Sequence, residues 1–147
     1  MKFIEEKGNL FELKGKGYTF AHCVSIDNKW GKGIAVDFDK NFRGMKSYCG
    51  DIINKNGIKS PSVIYYSNDK DSVFNLYTKE KYYKKPTYIT ITECINIMQK
   101  ICADRNIKKL AMPRIGCGLD NLKWCVVREI IKSTFENYDI EIIIRRL

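Results

Sequence analysis

Short runs typical of β-strands alternate along the chain with segments that have the apolar periodicity of helices. The strand-like runs are YTFAHCVSI (18–26), SVIYY (62–66), VFNLY (73–77), KLAM (109–112) and the C-terminal DIEIIIRR, which places Ile140, Ile142 and Ile144 on one face. The second and third runs flank SNDKDS and predict a hairpin. Because strands that alternate with helices pack in layers, the pattern predicts an α/β domain.

Three segments carry the helical periodicity. In ITITECINIMQKIC the apolar residues recur every three or four positions and share one face: Ile91, Cys94, Ile95, Met98 and Cys102. Thr87, after Pro86, is one start for this helix, and Thr90 with Glu93 in a capping box is another. LKWCVVREIIKSTF predicts a second apolar stripe: Val127, Ile130, Ile131 and Phe135. Residues 33–53 predict two shorter helices separated at Gly44.

Length and composition indicate one globular domain over residues 1–147. The chain is 44% hydrophobic and 29% charged, and it contains neither a repeat nor a linker-like segment. The N-terminal residues lack the apolar core of a signal peptide, and no apolar run approaches membrane-spanning length. We therefore expect a cytoplasmic monomer that does not associate with membranes.

The cysteines and the net charge limit the metal sites, nucleophiles and partners that this chain can be expected to have. The six cysteines form no Cys-x-x-Cys pair and His22 is the only histidine, so we expect free thiols and no metal site. Cys117 stands between two glycines, but as a nucleophile it would need His22 as its base, and simple packing is the preferred interpretation. The net charge of +9 favours polyanionic partners, although the lysines are spread along the chain rather than clustered with arginines and aromatics.

Two glycine-rich segments follow predicted strands and precede predicted helices. They are SIDNKWGKGIAVDF (25–38), with Gly31 and Gly33, and MPRIGCGLD (112–120). Glycines let backbone N–H groups approach a phosphate, and a helix N-terminus favours negative charge, although a plain turn between strand and helix uses the same residues. Val36 occupies the position of the third glycine of a dinucleotide-binding motif, and no Gly-Lys-Ser/Thr is present. Two such loops at the carboxyl ends of strands favour a diphosphate ligand.

The segments AHCVS, GKGIAV, TKEKYYKKPTY and MPRIGCGLD, in this order, resemble the macro domain family. They are most similar to its terminal ADP-ribose protein glycohydrolase branch, and the similarity covers essentially the whole chain. The resemblance implies a three-layer αβα domain with a mixed central sheet, an ADP-ribose cleft at the sheet edge, and no cofactor.

The resemblance also implies the catalytic residues. It assigns to Lys79 the attack on the anomeric carbon of the distal ribose and to Asp120 the transfer of protons. A lysine attacks only in its neutral form, which burial or a neighbouring cation such as Lys81 favours. The residues alone indicate otherwise: a lysine run is typical of a solvated face, and Asp120 stands where a helix N-cap is expected.

Further ligand contacts are carried over from the resemblance. They are Asn9, Leu10, His22, Cys23, Ser25, Gly31, Gly33, Ile34, Ala35, Pro113, Arg114, Ile115, Gly116, Cys117, Gly118, Leu119 and Leu147. Several also have a simpler interpretation: Leu10 and Leu147 as core residues, Ser25 as a strand end, and His22 as a packed, hydrogen-bonded side chain. Asn9 stands where many macro domains have an aspartate that reads the adenine amino group, so we expect weaker adenine binding.

The expected activity is hydrolysis of mono-ADP-ribose from glutamate or aspartate side chains of proteins through a lysine adduct. The Asn-Ala-Ala-Asn and paired-glutamate signatures of other macro domain hydrolases are absent, which is consistent with a lysine mechanism. Two alternatives stay open. One is removal of ADP-ribose from DNA or RNA, as similar macro domains of toxin–antitoxin pairs do with DNA. The other is ADP-ribose binding without turnover.

Overall fold

A mixed six-stranded sheet lies between two helical layers in the computed structural model, which describes all 147 residues. The sheet order is β1-β6-β5-β2-β4-β3, and only β3 and β4 pair antiparallel. The strands are β1 Lys2–Lys7, β2 Thr19–Ser25, β3 Ser62–Ser67, β4 Ser72–Lys79, β5 Lys109–Met112 and β6 Glu141–Arg146. The helices are α1 Ile34–Asn41, α2 Met45–Asn56, α3 Tyr88–Arg105 and α4 Trp124–Phe135, with a 3₁₀ turn at Leu10–Leu13.

Each face of the sheet has its own core. Helices α3 and α4 pack on one face in a cluster of 17 buried residues, and α1 and α2 pack on the other in a cluster of 15. Strand β2 serves both, since Ala21 belongs to the first cluster whereas Phe20 and Val24 belong to the second. This arrangement confirms the predicted α/β class and the mixed sheet. No helix combines the length and the apolar character that a membrane crossing requires.

The periodicities predicted most elements correctly. All five apolar residues of the α3 stripe are fully buried, and Gly44, with a φ of 87°, separates α1 from α2. Helix α3 begins after Thr87, whose Oγ1 accepts from Thr90 N at 3.1 Å while Thr90 Oγ1 accepts from Thr87 N. The alternative start at Thr90 with Glu93 is therefore wrong.

Strand β1 was not predicted from the sequence. Its segment, KFIEEK, lies at the sheet edge beside β6, and no residue in it is fully buried. An edge strand of this kind lacks the run of β-branched and aromatic residues that marked the central strands. Its place in the sheet comes from parallel pairing with β6.

His22 lies inside the second core. Its ring stacks on Phe38 with centroids 3.9 Å apart, and Nε2 lies 2.7 Å from Asn75 Oδ1. The Asn75 amide donates to the Ile64 carbonyl, so Asn75 Oδ1 is the acceptor and His22 Nε2 the donor. Burial lowers the pKa of His22 to about 4, although the hydrogen bond to Asn75 opposes the shift. The imidazole is therefore neutral in the folded protein at pH 7.

This burial makes stability depend on pH. Below its usual pKa of about 6.5 the histidine takes up a proton in the unfolded chain but not in the folded one, so stability is lost as the pH falls towards 4. Between pH 7 and pH 5 we expect His22 to lower the free energy of unfolding by about 2 kcal/mol, measured by urea denaturation. In His22→Gln this loss should disappear. An equal pH dependence in that variant would contradict the assignment.

Candidate active site

A cleft of about 880 Å³ opens at the carboxyl ends of β2, β4 and β5. Because β2 runs parallel to both neighbours, the segments that follow the three strands leave at the same edge of the sheet. The lining residues come from these strand ends and segments: Cys23, Val24, Ser25, Lys29, Gly31, Lys32, Gly33, Ile34, Ala35, Lys79, Tyr82, Tyr83, Lys85, Pro113, Arg114, Ile115, Gly116, Gly118, Leu119 and Asp120. Both predicted glycine loops therefore face one cavity.

An ion pair lies in this cleft. Lys79 Nζ donates to Asp120 Oδ1 at 2.5 Å, and the two side chains are 13% and 15% exposed. The solvated-face interpretation of Lys79 is thus wrong. The N-cap interpretation of Asp120 is wrong as well, because α4 begins at Trp124 and its N-cap is Lys123. The pair joins residues 41 positions apart in the sequence.

The charges around the cleft favour an anionic ligand. Five lining side chains are basic, and Asp120 is the single carboxylate among the lining residues. Since Asp120 is already paired with Lys79, four cations lack an acidic partner in the cleft: Lys29, Lys32, Lys85 and Arg114. Their combined positive potential suits a group with about two negative charges.

Gly33 shapes the first glycine loop. Its φ of 66° and ψ of −155° lie in a region that essentially only glycine adopts. Gly33 is also the N-cap of α1, so the free N–H groups of this helix start at the cleft. A Cβ added at Gly33 would lie 3.2 Å from Leu119 Cδ1, which shows how closely the two glycine loops approach.

Gly116 lines the cleft and also packs closely on α3. Its φ is 73°, and an added Cβ would lie 2.8 Å from Ile91 Cδ1 of α3. The second glycine loop therefore packs directly on the core, and a side chain at position 116 would push the loop that carries Asp120 away from α3.

Two polar side chains hold the first glycine loop. The Asp27 carboxylate accepts from Ser25 Oγ at 2.5 Å and from Tyr82 N at 3.0 Å, tying the segments after β2 and β4 together. Burial raises the pKa of Asp27, but these hydrogen bonds outweigh it and the net shift is downward. Asn28 Oδ1 accepts from Trp30 Nε1 and from the Tyr77 hydroxyl, both at 3.0 Å. Neither role was predicted from the sequence.

Most predicted contacts line the cleft, but five do not: Asn9, Leu10, His22, Cys117 and Leu147. Asn9 caps the 3₁₀ turn, Leu10 is buried in the second core, and Leu147 is 90% exposed. The packed interpretation of His22 is confirmed. The Cys117 thiol donates to the Ile115 carbonyl at 3.2 Å, and burial raises its pKa to about 11, which disfavours a thiolate nucleophile.

Six lining residues were missed from the sequence: Val24, Lys29, Lys32, Tyr82, Tyr83 and Lys85. Three of them belong to the lysine run 78–88, whose aromatic pair was a usable signal because exposed tyrosines among lysines suit nucleic acids or other ligands. Lys29 and Lys32 lie within the predicted first glycine-rich segment, and Val24 lies in β2 between Cys23 and Ser25.

Comparison with known proteins decides the family. No family profile matches the sequence. The human protein named ADP-ribose glycohydrolase OARD1 is 38% identical over 141 residues, covering 96% of this chain and 89% of the human one, and its bovine counterpart is 37% identical over the same length. The chain belongs to the macro domain family. Within it, the similarity places the chain in the ADP-ribose glycohydrolase branch.

Solved structures share the macro domain fold. The macrodomain of Thermus aquaticus DarG superposes with a TM-score of 0.88 at 18% identity. The match covers 99% of this chain and 98% of the DarG macrodomain. Thermosipho africanus DarTG, solved in complex with ADP-ribose, gives a TM-score of 0.86 at 18% identity, covering 99% of this chain and 41% of the other. A three-layer macro domain, as the sequence resemblance implies, is therefore confirmed.

Gly33 offers a test of the first glycine loop in this macro domain. An alanine there would be strained by about 1–3 kcal/mol and would press on Leu119, so Gly33→Ala should weaken binding of ADP-ribose, the ligand expected from the sequence, by about tenfold or more. Gly57→Ala is the matched control, since Gly57 also has a positive φ, of 61°, but lies at the end of α2 away from the cleft. Calorimetry with ADP-ribose measures both. Wild-type affinity in Gly33→Ala would exclude the loop from the binding site.

Proposed function

We propose that this macro domain removes a single ADP-ribosyl group from a glutamate or aspartate side chain of a protein, with Lys79 as nucleophile and Asp120 as acid and base. The observation that carries the proposal is the Lys79–Asp120 pair, 2.5 Å apart and largely shielded from solvent in a cationic cleft. Similarity to a protein named ADP-ribose glycohydrolase supports the reaction class.

The cleft suits the ligand in size and charge. Its volume of about 880 Å³ lies within the range of small-molecule sites. In the proposed complex the diphosphate lies between residues 31–35 and 114–119, near the start of α1 and the cations Lys29, Lys32 and Arg114. The distal ribose then faces Lys79, and Cys23, Ser25 and the remaining lining residues form its walls.

The ion pair supplies the first step. Asp120 takes a proton from the Lys79 ammonium, and the neutral amine attacks the anomeric carbon of the distal ribose. A bond forms between Nζ and this carbon while the bond from the carbon to the ester oxygen breaks. Its electron pair leaves with the acceptor as a stable carboxylate. The leaving group needs no acid, which agrees with a cleft whose single carboxylate is Asp120.

The second step releases the sugar. Water adds to the carbon that holds Lys79, the carbon–nitrogen bond breaks, and the amine recovers a proton. Asp120 is close enough to Nζ to move these protons. Both residues are thus required, Lys79 as the nucleophile and Asp120 as the group that moves protons in both steps.

One observation favours a second acceptor, a single-stranded nucleic acid. Tyr82 and Tyr83 line the cleft with 53% and 65% of their surface exposed, and their rings are perpendicular with centroids 5.4 Å apart. Lys29 Nζ lies 5.5 Å from the Tyr82 ring centroid. Exposed aromatic faces beside cations bind unpaired bases by stacking. The net charge of +9 also favours a polyanionic acceptor such as a nucleic acid.

The catalytic assignment is tested by two substitutions. Lys79→Ala should abolish release from glutamate-linked ADP-ribosyl protein while ADP-ribose binding largely survives, because the nucleophile acts on the transition state. Asp120→Asn should slow release by roughly a hundredfold or more. If the lysine adduct still forms in this variant, intact-protein mass spectrometry should detect ADP-ribose trapped on Lys79. Lys100→Ala on exposed α3 surface controls for the lost charge. Wild-type rates without an adduct in Asp120→Asn would defeat the assignment, and binding without release by the wild type would leave a binding module.

The tyrosine pair distinguishes the acceptors. If the protein acts on nucleic acid, the double variant Tyr82→Ala/Tyr83→Ala should slow release from ADP-ribosylated single-stranded DNA by about tenfold or more, since stacking contributes about 1–3 kcal/mol per base. Release from glutamate-linked protein should change little. Tyr48→Ala, another exposed tyrosine, is the control. Equal losses on both substrates, or no release from DNA by the wild type, would exclude the nucleic-acid acceptor.

A further inference from the structure

Two side chains at or just before the start of α3, Lys85 and Tyr88, contact the second glycine loop on both sides of Asp120. Lys85 Nζ donates to the Leu119 carbonyl at 2.5 Å, directly before Asp120. The Tyr88 hydroxyl accepts from Lys123 N at 3.0 Å, three residues after it. The two side chains are three residues apart in the sequence, and they contact backbone atoms that bracket Asp120.

Lys85 and Tyr88 lie at the rigid N-terminal end of α3. Pro86 between them is buried, and Thr87 caps α3 through its reciprocal hydrogen bonds with Thr90. Tyr88 is the first residue of this 18-residue helix. Lys85 and Tyr88 therefore extend from a rigid helix start, as a precisely placed site requires.

The second glycine loop makes no backbone hydrogen bond to Asp120 itself. Its internal backbone hydrogen bonds run from Cys117 N to Arg114 O, from Asn121 N to Gly118 O and from Leu122 N to Gly116 O, at 3.3, 3.2 and 2.9 Å. Asp120 takes part in none of them. The only hydrogen bond that Asp120 itself makes is the one to Lys79.

That ion pair does not persist through the proposed reaction. Lys79 loses its proton before it attacks and is bonded to the ribose afterwards, so the charge that draws Asp120 changes at each step. The contacts of Lys85 and Tyr88 involve backbone atoms that the reaction leaves unchanged. They can hold the carboxylate in place when Lys79 cannot.

We propose that Lys85 and Tyr88 are positioning residues that hold Asp120 at the reacting carbon through both steps; the inference rests on the proposed function of Lys79 and Asp120. Small displacements of a catalytic group have large effects on rate. Lys85→Met and Tyr88→Phe each remove one contact, and each should lower the single-turnover rate by about tenfold or more. Affinity for ADP-ribose should remain near that of the wild type. Lys85→Arg should restore part of the rate, because its guanidinium can also donate to the Leu119 carbonyl.

The decisive measurement is the double-mutant cycle with Asp120→Asn. If the two residues act through Asp120, Lys85→Met and Tyr88→Phe should cause little further loss in the Asp120→Asn background. Lys100→Met and Tyr48→Phe make the same chemical changes at exposed sites away from the cleft and should leave the rate unchanged. Losses that add to that of Asp120→Asn, or a loss of ADP-ribose affinity in place of rate, would overturn the proposal and make Lys85 a direct phosphate ligand.

A readout without turnover separates this proposal from the proposed function. Hydrogen exchange of the amides in residues 116–121 should accelerate in Lys85→Met and Tyr88→Phe and stay unchanged in the two controls. If the wild type releases no ADP-ribose from any acceptor, the proposed function fails, but the exchange rates still test whether Lys85 and Tyr88 hold the loop. Unchanged exchange in both variants would show that neither side chain holds the loop.

Discussion

Strand β2 is the constraint on which the site depends. Its residues are almost all buried, it pairs in parallel with β4 and β5, and both helical layers pack against it. Every ligand-facing segment leaves the sheet at its carboxyl end or at that of a neighbour. At that end the pairing of β2 with β4 shifts between Val24 and Ser25, so that Ser25 lies opposite Lys79 instead of Thr78. A bulge of this kind re-aims side chains, here at the residue proposed as the nucleophile.

Burial patterns explain which parts of the fold were predictable. Helix α3 buries one face and strand β6 is buried on both, so the first left a helical periodicity and the second a run of isoleucines in the sequence, whereas the edge strand β1 left neither. The pair proposed as catalytic left no local pattern in the sequence. Lys79 sits in a lysine-rich run and Asp120 ahead of a helix, and only their meeting across parallel strand ends sets them apart. Family resemblance identified them because it carries this tertiary information, and it did not identify Lys85 or Tyr88.

The environment of the cleft favours an amine over a thiol as the nucleophile. Cys23 lines the same cavity, but burial raises its pKa well above the usual value, and the Asp120 carboxylate adds to the shift. A thiolate is therefore disfavoured there. The same carboxylate is hydrogen-bonded to Lys79, from which it can accept a proton. The Asp120 charge thus disfavours the Cys23 thiolate and provides a proton acceptor for Lys79.

Pairing Lys79 with Asp120 also separates binding from chemistry in the cleft. A diphosphate is drawn to the cations of the two glycine loops that lack an acidic partner, and not to the compensated lysine. In the proposed complex Lys29, Lys32 and Arg114 hold the phosphate charges, while the ribose takes the position beside the ion pair. If Lys79 were uncompensated, it would compete with these cations for the phosphates. In the proposed complex the Asp120 carboxylate at 2.5 Å thus leaves this lysine beside the sugar, and it accepts the proton that the amine must lose before it attacks.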